Sequence, residues 1–259
     1  MRSSLSARRP ETSARKPEAQ ARPDRLRLLT ARPFAHRGLH GAGVSENGMA
    51  AFDAAIAQGL GIECDVRLSR DDVAIVFHDA TLSRMTGQSD PVSHLSAEEL
   101  ERRMLPDGGT IPTLATLLAR CGGTTSLLVE IKVDGKDVAP LCRAVAHDLK
   151  HWPEAPIAVM SFNPWVGRWF ACHAPHQLRG LVVTQQGKPY LRGAIERTLA
   201  LWSAKPDFIA CDIRDLPSPF ATRARKTGMP VLSWTVRSKE QHERAARHVD
   251  QIIFERVDD

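Results

Sequence analysis

Eight short β-rich runs, each beside an amphipathic helical stretch, recur through residues 33–254 and leave few folds open. The runs are 33–37, 61–68, 126–132, 157–162, 178–184, 207–212, 231–236 and 250–254, with helical patterns at 48–58, 136–151 and 193–203 among those between them. A parallel strand pair needs a crossover of a dozen or more residues, so this alternation implies a parallel sheet covered by helices. Eight repeats in about 225 residues imply a closed (β/α)8, or TIM, barrel. Helix-start signals agree. Ser96-x-x-Glu99 and Ser238-x-x-Gln241 have the spacing of capping boxes, and Pro112 suits a first helical turn.

A ninth run, 73–77, breaks the rhythm. Only Ser69, Arg70, Asp71 and Asp72 separate it from Leu68, too few for a parallel crossover. An antiparallel hairpin excursion beyond the barrel rim is expected, with Leu68 facing Val73 and His78 returned to the level of Glu63.

In such a barrel the reacting groups lie at the C-terminal ends of the strands. The polar residues falling there are His36 and Arg37 on the first strand, Glu63 and Asp65 on the second, His78 and Asp79 on the returning arm, and Glu130 and Lys132 on the next barrel strand. The strand period of two puts Glu63 and Asp65 on one face with Cys64 opposite, and Glu130 with Lys132. Three inward carboxylates repel one another unless something positive sits between them. Oxygen-only ligands suit a hard divalent cation, Mg2+ or Ca2+, better than zinc. Such a cation, two fixed positive charges and a histidine pair are what cleavage of a phosphodiester requires, because phosphate charge must be neutralised and two protons moved.

These segments resemble the successive motifs of the glycerophosphodiester phosphodiesterases: Phe34-Ala35-His36-Arg37-Gly38, Glu46-Asn47, Glu63-Cys64-Asp65-Val66, Val76-Phe77-His78-Asp79 and Glu130-Ile131-Lys132, with weaker echoes in Ser161-Phe162 and Trp234-Thr235-Val236. The resemblance spans residues 33 to about 255. It implies hydrolysis of glycerophosphodiesters to sn-glycerol 3-phosphate and an alcohol. It also implies a metal held by Glu63, Asp65 and Glu130, an acid/base pair in His36 and His78, and phosphate contacts from Arg37 and Lys132. Glu46 and Asn47 would be support or substrate contacts, and which histidine is the acid is open. Three departures stand out. Gly48 replaces a usual Thr, Arg237 a usual Asn, and Phe254-Glu255-Arg256-Val257 a usual Thr-Asp pair followed by Pro. All three are expected to fall away from the metal and histidine set, and so to bear on substrate identity more than on the chemistry.

Charge decides which partners to discount. The chain carries a net +5, but residues 1–33 hold nine Arg or Lys against three Asp or Glu, leaving 26 basic and 27 acidic residues in the body. The basicity belongs to a tail, so a nucleic-acid partner is not expected. Residues 1–31, rich in Arg, Ala, Pro and Ser without apolar periodicity, read as a disordered extension to a domain at 32–259. The tail lacks the apolar stretch of a secretory signal. No run approaches the ~20 apolar residues of a membrane span, so stable membrane insertion is not expected. Five widely spaced cysteines without a C-x-x-C fit reduced thiols in a cytoplasmic protein.

The remaining candidates read as structural. His40, His94, His147, His151, His173, His176, His242 and His248 fall in helices or loops without partner carboxylates and read as surface residues. Trp165 and Trp169, four apart on a helix, read as barrel packing. Cys64 reads as core, Trp234 as a wall of the substrate pocket, and Asp212 and Arg214 as groups that help shape it. Two rival functions share the barrel. A lysophospholipase D acting on lipid phosphodiesters would want an apolar collar, which residues 80–111 supply only weakly. A barrel that merely binds phosphoesters would not need the histidine pair.

Overall fold

The computed structural model describes residues 18–187 and 190–256. The strands are β1 (Phe34–Ala35), β2 (Gly61–Leu68), β3 (Ala74–Val76), β4 (Leu127–Ile131), β5 (Ile157–Ser161), β6 (Leu178–Val183), β7 (Phe208–Asp212), β8 (Val231–Val236) and β9 (Gln251–Phe254). The helices are α1 (Glu18–Thr30), α2 (Met49–Ala57), α3 (Ser83–Thr86), α4 (Ala97–Glu101), α5 (Leu114–Cys121), α6 (Ala139–Leu149), α7 (Pro164–His173), α8 (Tyr190–Ala204), α9 (Pro219–Lys226) and α10 (Lys239–His248). Eight strands pair in parallel in the order β1-β2-β4-β5-β6-β7-β8-β9, and β1 pairs with β9 to close the barrel. This is the expected (β/α)8 barrel, with β3 antiparallel on β2 as the hairpin excursion.

Alternation along each strand sorts the side chains. Ile62, Cys64 and Val66 on β2 and Leu127, Val129 and Ile131 on β4 face outward, into a core shared with Leu117, Val145 and Phe170 of the helices. Phe34, Leu128, Met160, Phe208 and Leu232 fill the barrel interior. Gly180 makes room there, because a Cβ in its place would lie 2.4 Å from the Phe208 ring. Each large apolar side chain buried this way stabilises the fold by roughly 1.5–3 kcal/mol.

Four details differ from expectation. β1 stops at Ala35 rather than at residue 37, because Arg37 has φ +56° and turns the chain off the barrel wall. The hairpin pairs Val66 with Val76 and Leu68 with Ala74, one residue out of step with a Leu68–Val73 pairing. Ser69 is the cause. Its N–H donates to the Val73 carbonyl (3.0 Å) and its Oγ accepts from Val73 N–H (2.9 Å), leaving a three-residue loop closed by left-handed Asp72. His78 therefore returns beside Cys64 and Asp65, with Phe77 N–H donating to the Asp65 carbonyl (3.0 Å). Pro112 lies outside its helix: α5 starts at Leu114 after an N-cap at Thr113, and the Pro112 carbonyl accepts from Val76.

The fourth difference is α1. Residues 18–30, assigned to a disordered extension, form a helix across the N-terminal mouth of the barrel. Leu29 is fully buried against the interior cluster. Arg25 donates to the carbonyls of Ala155, Ile157 and His176, and Arg22 clamps Asp207 at 2.8 and 2.6 Å. The rest of the extension, residues 1–17, lies outside the described residues.

Candidate active site

The C-terminal mouth of the barrel gathers every polar residue expected there. Glu63, Asp65 and Glu130 are buried, and one oxygen from each lies within 4.8 Å of the others. β2 and β4 bring them together in register, with Asp65 directly beside Glu130. Lys132 Nζ stands 2.6 Å from Glu130 and 3.0 Å from Asp65. Arg37 Nε lies 3.2 Å from Asp65, and its NH1 donates to Glu46 at 2.8 Å.

Local backbone geometry aims these groups. Arg37 and Asn47 both sit in the left-handed region, where strain is characteristic of functional positions. Asn tolerates that region well, and from it Asn47 exchanges two hydrogen bonds with Asp65, accepting from its N–H and donating to its carboxylate. Gly38, at φ +79°, is pressed against α2, where a Cβ would meet that of Ala51 at 2.8 Å. The His-Arg-Gly turn thus swings the Arg37 backbone N–H onto Glu63 Oε2 at 3.0 Å.

The carboxylates are unequally matched by cations. Burial raises Glu63 well above the ordinary carboxylate range, and Asp65 and Glu130 push it further. Glu130 is also raised, because burial outweighs even its Lys132 partner. Asp65 is held low. Burial opposes this, but Lys132, Arg37 and His78 together overcome it. Glu63 Oε1 and Asp65 Oδ1 are buried without a hydrogen bond, Asp65 Oδ1 having only its ion contact with Lys132. Two open oxygens among three crowded carboxylates are a donor set that fits a hard divalent cation.

Both histidines are held at Nδ1. His36 Nδ1 lies 2.7 Å from Glu255 Oε1, and His78 Nδ1 lies 2.7 Å from Asp79 Oδ1. Both carboxylates are depressed. Burial acts against this, and it is overcome at Glu255 by His36 and Arg237, and at Asp79 by Arg84 and His78. An ionised carboxylate only accepts, so each Nδ1 carries the proton and each Nε2 keeps its lone pair. Burial lowers the pKa of both rings, which favours the neutral imidazole. His36 Nε2 faces the trio, 3.9 Å from Glu63.

A sequence profile of the Glycerophosphoryl diester phosphodiesterase family matches residues 36–259. The chain belongs to this family. A glycerophosphodiester phosphodiesterase from Caldanaerobacter subterraneus subsp. tengcongensis is 28% identical over 235 residues, covering 85% of this chain and 91% of that protein. The glycerophosphodiester phosphodiesterase of Agrobacterium tumefaciens superposes with a TM-score of 0.69 at 26% identity, over 87% and 96% of the two chains. An Oleispira antarctica phosphodiesterase, solved with the product sn-glycerol-3-phosphate, shares the fold with a TM-score of 0.75 at 24% identity, over 88% and 94%. This family member is accordingly a phosphodiesterase hydrolase.

Several of its site residues had no sequence signal. Arg84, on the short α3, donates to Asp79 (2.7 Å) and twice to Glu46 (3.0 and 2.6 Å), tying the His78 support to the Arg37 support. Arg237 forks onto Glu255 at 2.6 and 2.7 Å. Two of the noted departures therefore meet each other beside His36. His40, read as a surface histidine, is half-buried and lies in a cluster with His36 and Glu255. No spacing near His40 marks this cluster, because Glu255 lies more than 200 residues away in sequence. Trp234 packs against the barrel's interior cluster, donates from Nε1 to the Ala210 carbonyl at 3.0 Å, and sets its ring edge-on to that of Phe162 at 5.3 Å. Trp169 packs as expected, but Trp165 is 42% exposed and stacks with Arg168. Asp212 is spent on Arg214 and Thr184. Cys64 is core, and all five cysteines are free thiols.

Proposed function

We propose that the protein hydrolyses glycerophosphodiesters to sn-glycerol 3-phosphate and an alcohol, using His36 and His78 for proton transfer and Glu63, Asp65 and Glu130 to hold one Mg2+ or Ca2+. The observation that carries this reading is the pairing of two Nδ1-anchored histidines with a buried carboxylate trio that has open oxygens. A bound divalent cation supplies positive charge for the phosphate oxygens in the transition state. Lys132 and Arg37, both kept protonated by their carboxylate neighbours against the pull of burial, add fixed charge on the same phosphate. One histidine takes a proton from the attacking water at Nε2, and the other delivers one from Nε2 to the leaving alkoxide. The anionic diester itself favours protonation of that second ring. Phe162 and Trp234 wall the side of the mouth nearest Lys132, whose Nζ lies 5.9 Å from the Phe162 ring.

A second reading, activity on a lysophospholipid, is favoured by one observation. A groove of about 460 Å³ lined by Phe162, Trp165, Leu181, Val183 and Leu199 starts beside the mouth. The apolar residues within 80–111 do not form a collar, since Leu82, Val92, Leu100, Leu105 and Ile111 make a core of their own.

Among the described residues no helix is long and apolar enough to cross a membrane. The free thiols fit a reducing compartment, and we read the protein as cytoplasmic.

The test is release of glycerol 3-phosphate from glycerophosphocholine with and without EDTA, with lysophosphatidylcholine assayed in parallel. EDTA-sensitive release, lost in His36→Ala and His78→Ala, is expected. Undiminished hydrolysis in either variant would sink the mechanism.

A further inference from the structure

We propose that Glu255, clamped by Arg237, is a positioning residue that holds His36 in the Nδ1–H tautomer and presents its bare Nε2 to the carboxylate trio. The proposal rests on the assignment of His36 as a proton-transfer group.

Three strand ends fix the arrangement. His36 N–H donates to the Phe254 carbonyl at 2.8 Å, tying the end of β1 to β9. Glu255 N–H donates to the Val236 carbonyl at 3.0 Å, tying β9 to β8. Arg237 N–H donates to Gln241 Oε1 at 2.6 Å, which anchors the start of α10. The anticipated capping box is thus only half formed. Ser238 Oγ accepts from Gln241 N–H, but the Gln241 side chain serves Arg237. His36 and Glu255 are thus tied to neighbouring strands by backbone bonds, and the Arg237 backbone is held by the Gln241 side chain.

The side chains then leave little freedom. Glu255 has three rotatable bonds and is 21% exposed, so alone it would sample several positions. The Arg237 fork takes both of its oxygens, with Nε on Oε2 and NH2 on Oε1, and fixes the plane of the carboxylate. Oε1 is thereby directed at His36 Nδ1. The chain places Glu where the resembling family has Asp, and Arg where it has Asn. Both are longer side chains, and they contact each other. Each departure supplies the reach that the other requires.

A rival use of the same atoms is a second cation site. His40 Nε2 is buried without a partner, and His40, His36 and Glu255 lie close enough to share an ion. The two readings differ in what occupies the gap between Nδ1 and Oε1. A 2.7 Å separation suits a shared proton and leaves no room for a metal between the two atoms.

Exchanging the carboxylate for an amide removes the acceptor that fixes the tautomer. In Glu255→Gln the amide nitrogen meets an Arg237 donor in either orientation. Placed at the Oε1 position it also faces His36 Nδ1, which turns into an acceptor by moving the ring proton to Nε2. The experiment is 15N NMR of histidine-labelled protein, with His36 assigned by its loss in His36→Ala, alongside steady-state kinetics and metal analysis. Wild type should show Nδ1–H at His36, and Glu255→Gln, Glu255→Ala and Arg237→Ala a mixture of the two tautomers. On glycerophosphocholine, Glu255→Gln and Glu255→Ala should lower kcat on the order of tenfold or more with KM within about threefold, because the ring is no longer held in one tautomer. Arg237→Ala should cost roughly tenfold.

An unchanged His36 spectrum in Glu255→Ala would overturn the proposal. So would loss of one metal equivalent in Glu255→Ala, which would reassign the cluster to an ion. The NMR measurement needs no turnover, so an inactive wild type would count against the phosphodiesterase reading and leave the tautomer result to decide this one.

Discussion

Glu63 has no cation of its own, accepting from the Arg37 backbone while Asp65 takes both Arg37 Nε and Lys132. Its raised pKa means that the folded protein binds more protons than the unfolded chain between the ordinary carboxylate pKa and the raised one. Stability without metal should therefore fall as pH rises through that window. The divalent cation proposed for this trio would replace the proton, so its stabilising effect should grow with pH. Melting temperatures at pH 5 and pH 8, in EDTA and in saturating Mg2+ or Ca2+, check both slopes. Glu63→Gln should be more stable than wild type in EDTA at pH 8, with the advantage fading toward pH 4, and should lose the metal-induced shift.

Arg84 makes a second prediction at this scale. Among the described residues it is the one bonded to both Asp79 and Glu46, so Arg84→Ala should free His78 and Arg37 together. A drop in kcat of roughly tenfold is expected, as for other groups that orient a reacting side chain. Arg84→Lys should recover little, because an ammonium cannot fork between two carboxylates.

Among the elements, the strands were legible because both faces of a parallel strand are buried, which demands continuous β-branched and apolar runs. β2 and β8 were read to the residue. α1 was not, because its polar sequence breaks any apolar stripe, and Arg25 is buried only through carbonyls at the ends of other strands. Leu29 is its anchor. Leu29→Ala should destabilise the protein by about 2–5 kcal/mol, the usual cost of truncating a buried leucine. Denaturant unfolding with an unchanged m-value would check it, and a loss below 1 kcal/mol would show that α1 contributes little. The hairpin slip has a similar origin: a Ser side chain closing a tight loop leaves no periodic trace.

For the whole molecule, barrel closure rests on a strand of two residues, β1, paired on both sides. That closure carries His36 to the mouth beside β2 and β9, so the integrity of the barrel and of the site should be lost together. Activity and near-UV circular dichroism should disappear at one urea concentration, and activity lost well before the global transition would show a separately unfolding mouth. The apolar groove between α7 and α8 belongs to this scale as well. Leu199→Asp should leave glycerophosphocholine hydrolysis unchanged and lower kcat/KM for lysophosphatidylcholine about tenfold if an acyl chain occupies it, since placing a charge there would cost at least 1–2 kcal/mol.

Sequence alone was enough for the barrel, the hairpin and the eight polar residues at its mouth, because alternation by twos and strand order are local properties that a parallel barrel converts directly into position. The identity of the groups that orient those residues came only with the tertiary structure. Glu255 reaches His36 across 219 positions, Arg84 reaches Glu46 across 38, and α1 seals the far end through carbonyls that any sequence would supply. Contacts of that kind are set by where closure brings chain ends together, and no spacing along the chain encodes them.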